Sequence, residues 1–285
     1  METSEELSRG KQRLLRRLSE TRGRQKEGLV ILEGRRVVEA GLEFGARFRF
    51  SLLAHDAASE EVELARRLGL GPTELVRVRR GTLVEFAETQ TPQGILAVAE
   101  EPVEGFPPEE LSEAERILVL DAVQDPGNVG TLIRSAAALG VDRVLLFDGT
   151  ADPWNAKTVR SSAGFGFSLP LHRIGIEEGL AWLDSEGIPL LVADADGLDV
   201  RRSAALPSAQ ASFALLLGNE GAGPRVESLE AAGIRVALPM RTGVESLNVA
   251  VAGSILLWAL GPARQVPEDR PEPPSPRSEG RPPGD

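Results

Sequence analysis

The stretch "RILVLDAVQDPGNVGTLIRSAAALGVDRVLLFD", Arg116 to Asp148, decides the fold. "RILVLD" and "DRVLLFD" are short, almost wholly apolar runs of the kind that form strands buried on both faces. Between them, from Asn128 onward, Val129, Leu132, Ile133 and Ala136 recur at helical spacing, and Asn128 is the expected N-cap. Strand, loop, helix and strand in that order make a βαβ unit.

The alternation continues outward from this unit. A helix near Asn155, the run "SLPLHRI", a helix near Ile176, the runs "IPLLVAD", "SFALLLG" and "IRVALP", and a final apolar helix complete the second part of the chain. Such alternation implies an α/β fold with a mostly parallel sheet covered on both faces. The first part reads as a small α/β domain. It has a basic helix near Leu7 to Arg22, strands at "LVILEG" and "GILAVAE", and helices near Arg35 to Phe44 and Glu60 to Leu68. "EEPVEGFPPEELSEAER", Glu100 to Arg116, lacks a sustained apolar period and reads as a linker. From Pro262 to the end, eight prolines among charged and small residues predict a disordered tail. The expected division is 1–104, a linker at 105–115, 116–261 and the tail 262–285.

The 285 residues, 41% hydrophobic, suffice for these cores. No apolar run reaches the roughly 18 to 20 residues that cross a bilayer, and "METSEELSRGKQRLLRR" lacks the apolar core of a secretory signal, so a cytoplasmic protein with no membrane partner is expected. With no Cys, and only His55 and His172 for imidazole chemistry, disulfides, thiolate sites and zinc catalysis are not expected. The net charge of −11 argues against nucleic acid, but between Arg9 and Arg36 ten Lys or Arg stand against three Glu. Charge alone leaves two readings of that strip, a phosphate-binding surface or a solvated helix face.

Three loops follow strands of the second sheet, where ligands of open α/β sheets bind. In "DAVQDPGNVGTLIRSAAALG", Arg134 falls opposite the apolar stripe, free for a ligand or for a surface ion pair. In "GNEGAGP", Gly218, Gly221 and Gly223 permit tight turns, and Glu220 is a candidate partner for a cation. In "PMRTGVESLN", Ser246 is the expected cap of the last helix, and Asn248 enters its first turn. A capped core helix accounts for Ser246 but only in part for Glu245 and Asn248.

In this order, "LDAVQDPGNVGTLIRSAAALG", "LLLGNEGAGP" and "LPMRTGVESLNVAVAGSILL" resemble the three signature motifs of the SpoU (TrmH) family of RNA ribose 2'-O-methyltransferases, within the SPOUT superfamily. "RQKEGLVILEG" and "ETQTPQGILAV" are similar to the substrate-binding domain of members that act on large-subunit ribosomal RNA. The resemblance implies a C-terminal trefoil knot, a homodimer and an S-adenosylmethionine site at Gly218, Leu238, Met240, Ser246 and Leu247. It also implies catalytic positions at Asn128, Arg134, Glu220 and Asn248. The basic residues Arg9, Lys11, Arg13, Arg16, Arg17, Arg22, Arg24 and Lys26 would then grip RNA phosphates. No metal is needed for such a transfer. An arginine keeps its proton, so Arg134 is expected to stabilise the developing alkoxide or hold the adjacent phosphate rather than act as base. Glu220 is expected to orient Arg134 or a loop amide. With 4% aromatic residues and no Tyr, recognition through RNA shape and backbone is expected. The competing expectations are the same chemistry on transfer RNA, a non-catalytic RNA-binding ribosome assembly factor, and an unrelated small-molecule α/β enzyme.

Overall fold

The computed structural model describes residues 7–102, 105–201, 206–207, 211–243 and 246–261; Glu245 and the tail from residue 262 lie outside them. The first unit runs α1 (Arg9–Leu18), α2 (Thr21–Glu27), β1 (Leu29–Glu33), α3 (Arg35–Glu43), β2 (Phe48–Ala54), α4 (Ser59–Arg67), β3 (Leu75–Val78), α5 (Arg80–Phe86) and β4 (Ile95–Glu100). Its sheet has the order β1-β4-β2-β3, with β4 antiparallel to both neighbours and β2 parallel to β3.

The basic segment expected as one helix is two. Arg24 Nη1 donates to the carbonyls of Leu18 and Ser19, where α1 ends and the chain turns. Gly23 then lets α2 fold back, since a Cβ there would stand 1.9 Å from the Arg17 carbonyl oxygen. Strands β2 and β3 and helix α5 were not singled out in the sequence: each is at most seven residues long and carries an arginine.

The second unit runs β5 (Arg116–Leu120), α6 (Pro126–Ala138), β6 (Arg143–Phe147), α7 (Ala156–Ser161), β7 (Leu171–Ile174), α8 (Ile176–Ser185), β8 (Leu190–Asp199), β9 (Phe213–Leu217), α9 (Val226–Glu230), β10 (Ile234–Ala237) and α10 (Val249–Leu260). Its six strands are all parallel, in the order β10-β8-β9-β5-β6-β7. Residues along β5 alternate between two cores. Leu118 and Leu120 pack with α6 and α10, while Ile117 and Val119 pack with Trp182 and Leu183 of α8. The sheet is therefore covered on both faces, as its apolar strands require. Gly253 brings α10 close to the sheet, because a Cβ there would meet Leu217 at 2.3 Å and Leu132 at 2.6 Å.

Two expected caps are corrected. Helix α6 starts at Pro126, and Asp125 caps it by accepting from the Gly127 amide, so Asn128 lies inside the first turn with its side chain released for other work. Asn248, not Ser246, caps α10, accepting from the amides of Ala250 and Val251.

Among the described residues no helix or strand lies between Glu100 and Arg116, yet the two units share one core. Trp154 and Val159 of the second pack among Val30, Leu32, Val37 and Val38 of the first. Arg24 pairs with Asp152 at 2.6 Å, Arg173 bridges Asp152 and Glu101, and Arg160 reaches Glu88 at 3.3 Å. No helix among the described residues is long and apolar enough to cross a membrane.

Candidate active site

The loops that leave β5 and β9 are joined along their length. At the end of β5 the fully buried Asp121 carboxylate accepts from the Arg225 amide, from Arg225 Nε at 2.5 Å and from the Ser228 hydroxyl. One residue on, the Ala122 carbonyl accepts from Asn219 Nδ2, while Asn219 Oδ1 takes the amides of Gly221 and Ala222. Ala122 has φ +58, a left-handed conformation unfavourable for a residue with a Cβ, and it is held from the other side by Thr150 Oγ1 on its amide.

Glu220 continues the seam. Its carboxylate accepts from the amides of Gln124 and Asp125 at 3.2 Å and from Asn128 Nδ2 at 3.0 Å. Burial pushes its pKa up, but the Asn128 side chain and these amides outweigh that and leave it below the usual carboxylate range. Asn128 Oδ1 accepts in turn from Asn248 Nδ2 at 2.9 Å, and Asn248 caps α10. One polar chain therefore runs Glu220, Asn128, Asn248, helix N-terminus. Of the two roles expected for Glu220, it fulfils the orientation of loop amides; it makes no bond to Arg134.

Beside this chain lies a cavity of about 400 Å³. Gly218, Leu238, Met240, Ser246 and Leu247 all line it, together with Glu220 and Asn248. Gly218 is required by close approach, since a Cβ would stand 2.2 Å from the Pro224 nitrogen. Arg134 does not line the cavity. It is exposed on α6, about 9 Å along the helix axis from Asn128, and among the described residues it holds no ion pair. Nearby on α10, Val251, Ile255 and Trp258 form an exposed apolar face, with Trp258 73% exposed.

These observations meet the comparisons with known proteins. The model of the SpoU rRNA Methylase family matches residues 115–258, and that of the MRM3-like substrate binding domain matches residues 11–97. The chain is 34% identical to the 23S rRNA (guanosine(2553)-2'-O)-methyltransferase RlmP of Bacillus subtilis, over 86% of this chain and 93% of that one. The chain belongs to the SpoU rRNA methylase family. Human mitochondrial rRNA methyltransferase 3 is 30% identical, with 82% of this chain and 68% of that protein covered. Among solved structures, the AdoMet-bound rRNA methyltransferase of Sinorhizobium meliloti aligns with a TM-score of 0.80 at 25% identity, covering 91% of this chain and 98% of that one. AviRb of Streptomyces viridochromogenes, in complex with AdoMet, aligns with a TM-score of 0.79 at 28% identity, over 89% and 97% of the two chains.

The cavity suits the methyl donor of this family in size and chemistry. Its lining combines apolar walls with two carboxylates, Asp194 and Glu220, and among the described residues includes no Lys, Arg or His. Such a lining favours a cationic sulfonium. Asp194, with Ala193 and Ala195, was missed in the sequence. They lie at the end of the run "IPLLVAD", inside β8 where that strand leaves its pairing with β10.

Of the basic residues, Arg9, Arg13, Arg16, Arg17, Arg22 and Lys26 are exposed, with Arg16 paired to Glu85 and Arg17 to Glu27. Lys11 is partly buried and bonded to the Thr73 carbonyl. Arg24 departs from the expectation. It is 2% exposed and spends its donors on Asp152, Leu18, Ser19 and Thr21, so it ties the two units together and has no face for a phosphate.

Proposed function

We propose that this chain methylates a ribose 2'-hydroxyl of large-subunit ribosomal RNA, using S-adenosylmethionine, as a cytoplasmic homodimer. The observation that carries the reading is the donor-sized cavity flanked by the Glu220–Asn128–Asn248 chain. The relative from Bacillus subtilis, matched over nearly its whole length, supports the substrate class.

When bound, the donor supplies a methyl group on a positively charged sulfur. Gly218, Leu238, Met240, Ser246 and Leu247 hold it, and Asn128 and Asn248 fix the edge at which the ribose is presented. Because the reaction is an in-line displacement, orientation dominates the rate gain. Glu220 stays ionised and acceptor-only, holding the first loop in register. Arg134 keeps its proton and steadies the alkoxide or the neighbouring phosphate. Since Arg134 lies off the cavity of its own chain, beside the apolar face of α10, a homodimer built on that face delivers the partner's Arg134 to each site.

We read 1–104 as the RNA substrate-binding domain, 105–115 as linker, 116–261 as the methyltransferase domain with the trefoil knot implied by its family, and 262–285 as a tail. The exposed residues Arg9, Arg13, Arg16, Arg17, Arg22 and Lys26 grip RNA phosphates. The test is transfer of labelled methyl groups to unmodified large-subunit rRNA and bulk tRNA in parallel, with the methylated ribose mapped. Label at one rRNA ribose is expected; label on tRNA alone overturns the substrate class.

A further inference from the structure

Strand β8 does not run straight past the cavity. It pairs with β10 at Leu191 and Val192 and again at Leu198 and Asp199, but the register shifts between Arg235 and Val236, so residues 193–197 bulge out of the ladder. Gly197 permits the return, because a Cβ there would stand 2.6 Å from the Val236 nitrogen. The bulge carries Asp194 onto the cavity wall, on the β8–β10 side. The Asn128–Asn248 chain lies on the opposite, β9–β5 side.

The two carboxylates of the cavity differ in what they have left to offer. Glu220 is engaged on both oxygens by three donors. Asp194 Oδ1 accepts from the Asp196 amide, and among the described residues Oδ2 has only a 3.4 Å contact with the half-exposed Arg235. A carboxylate has about four acceptor sites, so Asp194 retains room for two more hydrogen bonds. Its neighbours on this side, Val236, Ala237 and Leu238, are apolar and suit a flat base.

Resting on the donor reading above, we propose that Asp194 accepts hydrogen bonds from the ribose diol of the donor and so sets which half of that molecule lies at the β8–β10 side. The reacting sulfur belongs at the Asn128–Asn248 edge, where the acceptor arrives, and one of the two arms on that sulfur extends toward Asp194. The amino-acid arm is a zwitterion: Asp194 would attract its ammonium but repel its carboxylate, and no cationic side chain on the described cavity wall takes that carboxylate. The adenosine arm is neutral and offers two adjacent hydroxyl donors.

The experiment is calorimetric titration of wild type, Asp194→Asn and Asp194→Ala with S-adenosylhomocysteine, methylthioadenosine, adenosine and 2',3'-dideoxyadenosine, with thermal melting to confirm folding. Asp194→Ala is expected to weaken the three diol-bearing ligands by a similar factor, about tenfold, and Asp194→Asn by less, while dideoxyadenosine binds all three proteins equally. A loss confined to S-adenosylhomocysteine assigns Asp194 to the amino-acid arm and overturns the proposal, as does an unchanged affinity. A dideoxyadenosine loss equal to the others reduces Asp194 to a structural role and overturns it too. Wild type that binds none of the four removes the donor reading itself.

Discussion

Asn128 and Asn248 meet side chain to side chain, Nδ2 of Asn248 donating to Oδ1 of Asn128 at 2.9 Å across 120 residues of sequence. Each is also tied elsewhere, Asn128 to Glu220 and Asn248 to the first amides of α10. Displacing either moves two loops and a helix end. Asn248→Ala is expected to cost about 1 kcal/mol through the lost cap and to depress turnover far beyond that loss of stability. Melting curves beside methyl-transfer assays check this; turnover that falls only in step with stability would make the pair structural.

Arg134→Ala is expected to abolish turnover with donor affinity nearly unchanged, since the residue lies off the cavity. If the partner's Arg134 completes each site, co-refolding Arg134→Ala with Asn128→Asp restores about a quarter of wild-type activity, because half the dimers are mixed and each carries one intact site. No recovery in a verified mixed dimer would place Arg134 in its own chain's site.

Neutralising Arg13, Arg16 and Arg17 should weaken RNA binding and flatten its dependence on salt. Arg24→Ala should act differently. It leaves the buried Asp152 carboxylate with Arg173 as its remaining cation beside the Trp154 amide, at an expected cost on the order of 3 kcal/mol. The two outcomes separate in a filter-binding salt series and a denaturant titration.

Gly253→Ala adds a methyl group where Leu217 and Leu132 already stand within 2.6 Å, and about 1–3 kcal/mol of stability should be lost. Ala122→Gly runs against the usual penalty for glycine. At φ +58 it relieves the left-handed strain, so stability should hold or rise by up to about 1 kcal/mol. Chemical denaturation of both variants reads the two signs directly.

His172 is 3% exposed, stacks edge-on against Phe106, and among the described residues has no hydrogen-bond partner on either ring nitrogen. Burial, with Arg143 nearby, lowers its pKa. The unfolded chain therefore binds a proton more readily than the folded one. Stability is lost as pH falls through the unfolded imidazole value near 6.5. Glu101, raised by burial despite Arg173, acts in the opposite sense in the carboxylate range and does not mimic this. His172→Phe should flatten the decline in melting temperature between about pH 7 and 5; an unchanged decline would assign it to other groups.

The parallel sheet was legible because its strands are continuous apolar runs, and α6 because Val129, Leu132, Ile133 and Ala136 keep one face. The five residues named through the likeness of the motif loops all line one cavity. Local rules failed where tertiary partners intervened. Asp125 displaced Asn128 as cap because Asn128 is needed by Glu220 and Asn248, and Arg24 looks like one more surface cation until Asp152, 128 residues away, buries it. Asp194 was overlooked because nothing in "ADADG" announces that β8 leaves its ladder there.

The shared core around Trp154 has an effect beyond stability. A protein whose two halves hang on a loose tether can adjust its span to whatever it meets. Here Val30, Val37 and Trp154 interlock, so the separation between the two outer surfaces is a fixed gauge. Any molecule that touches both must fit that gauge, and the work of shaping falls on the visitor.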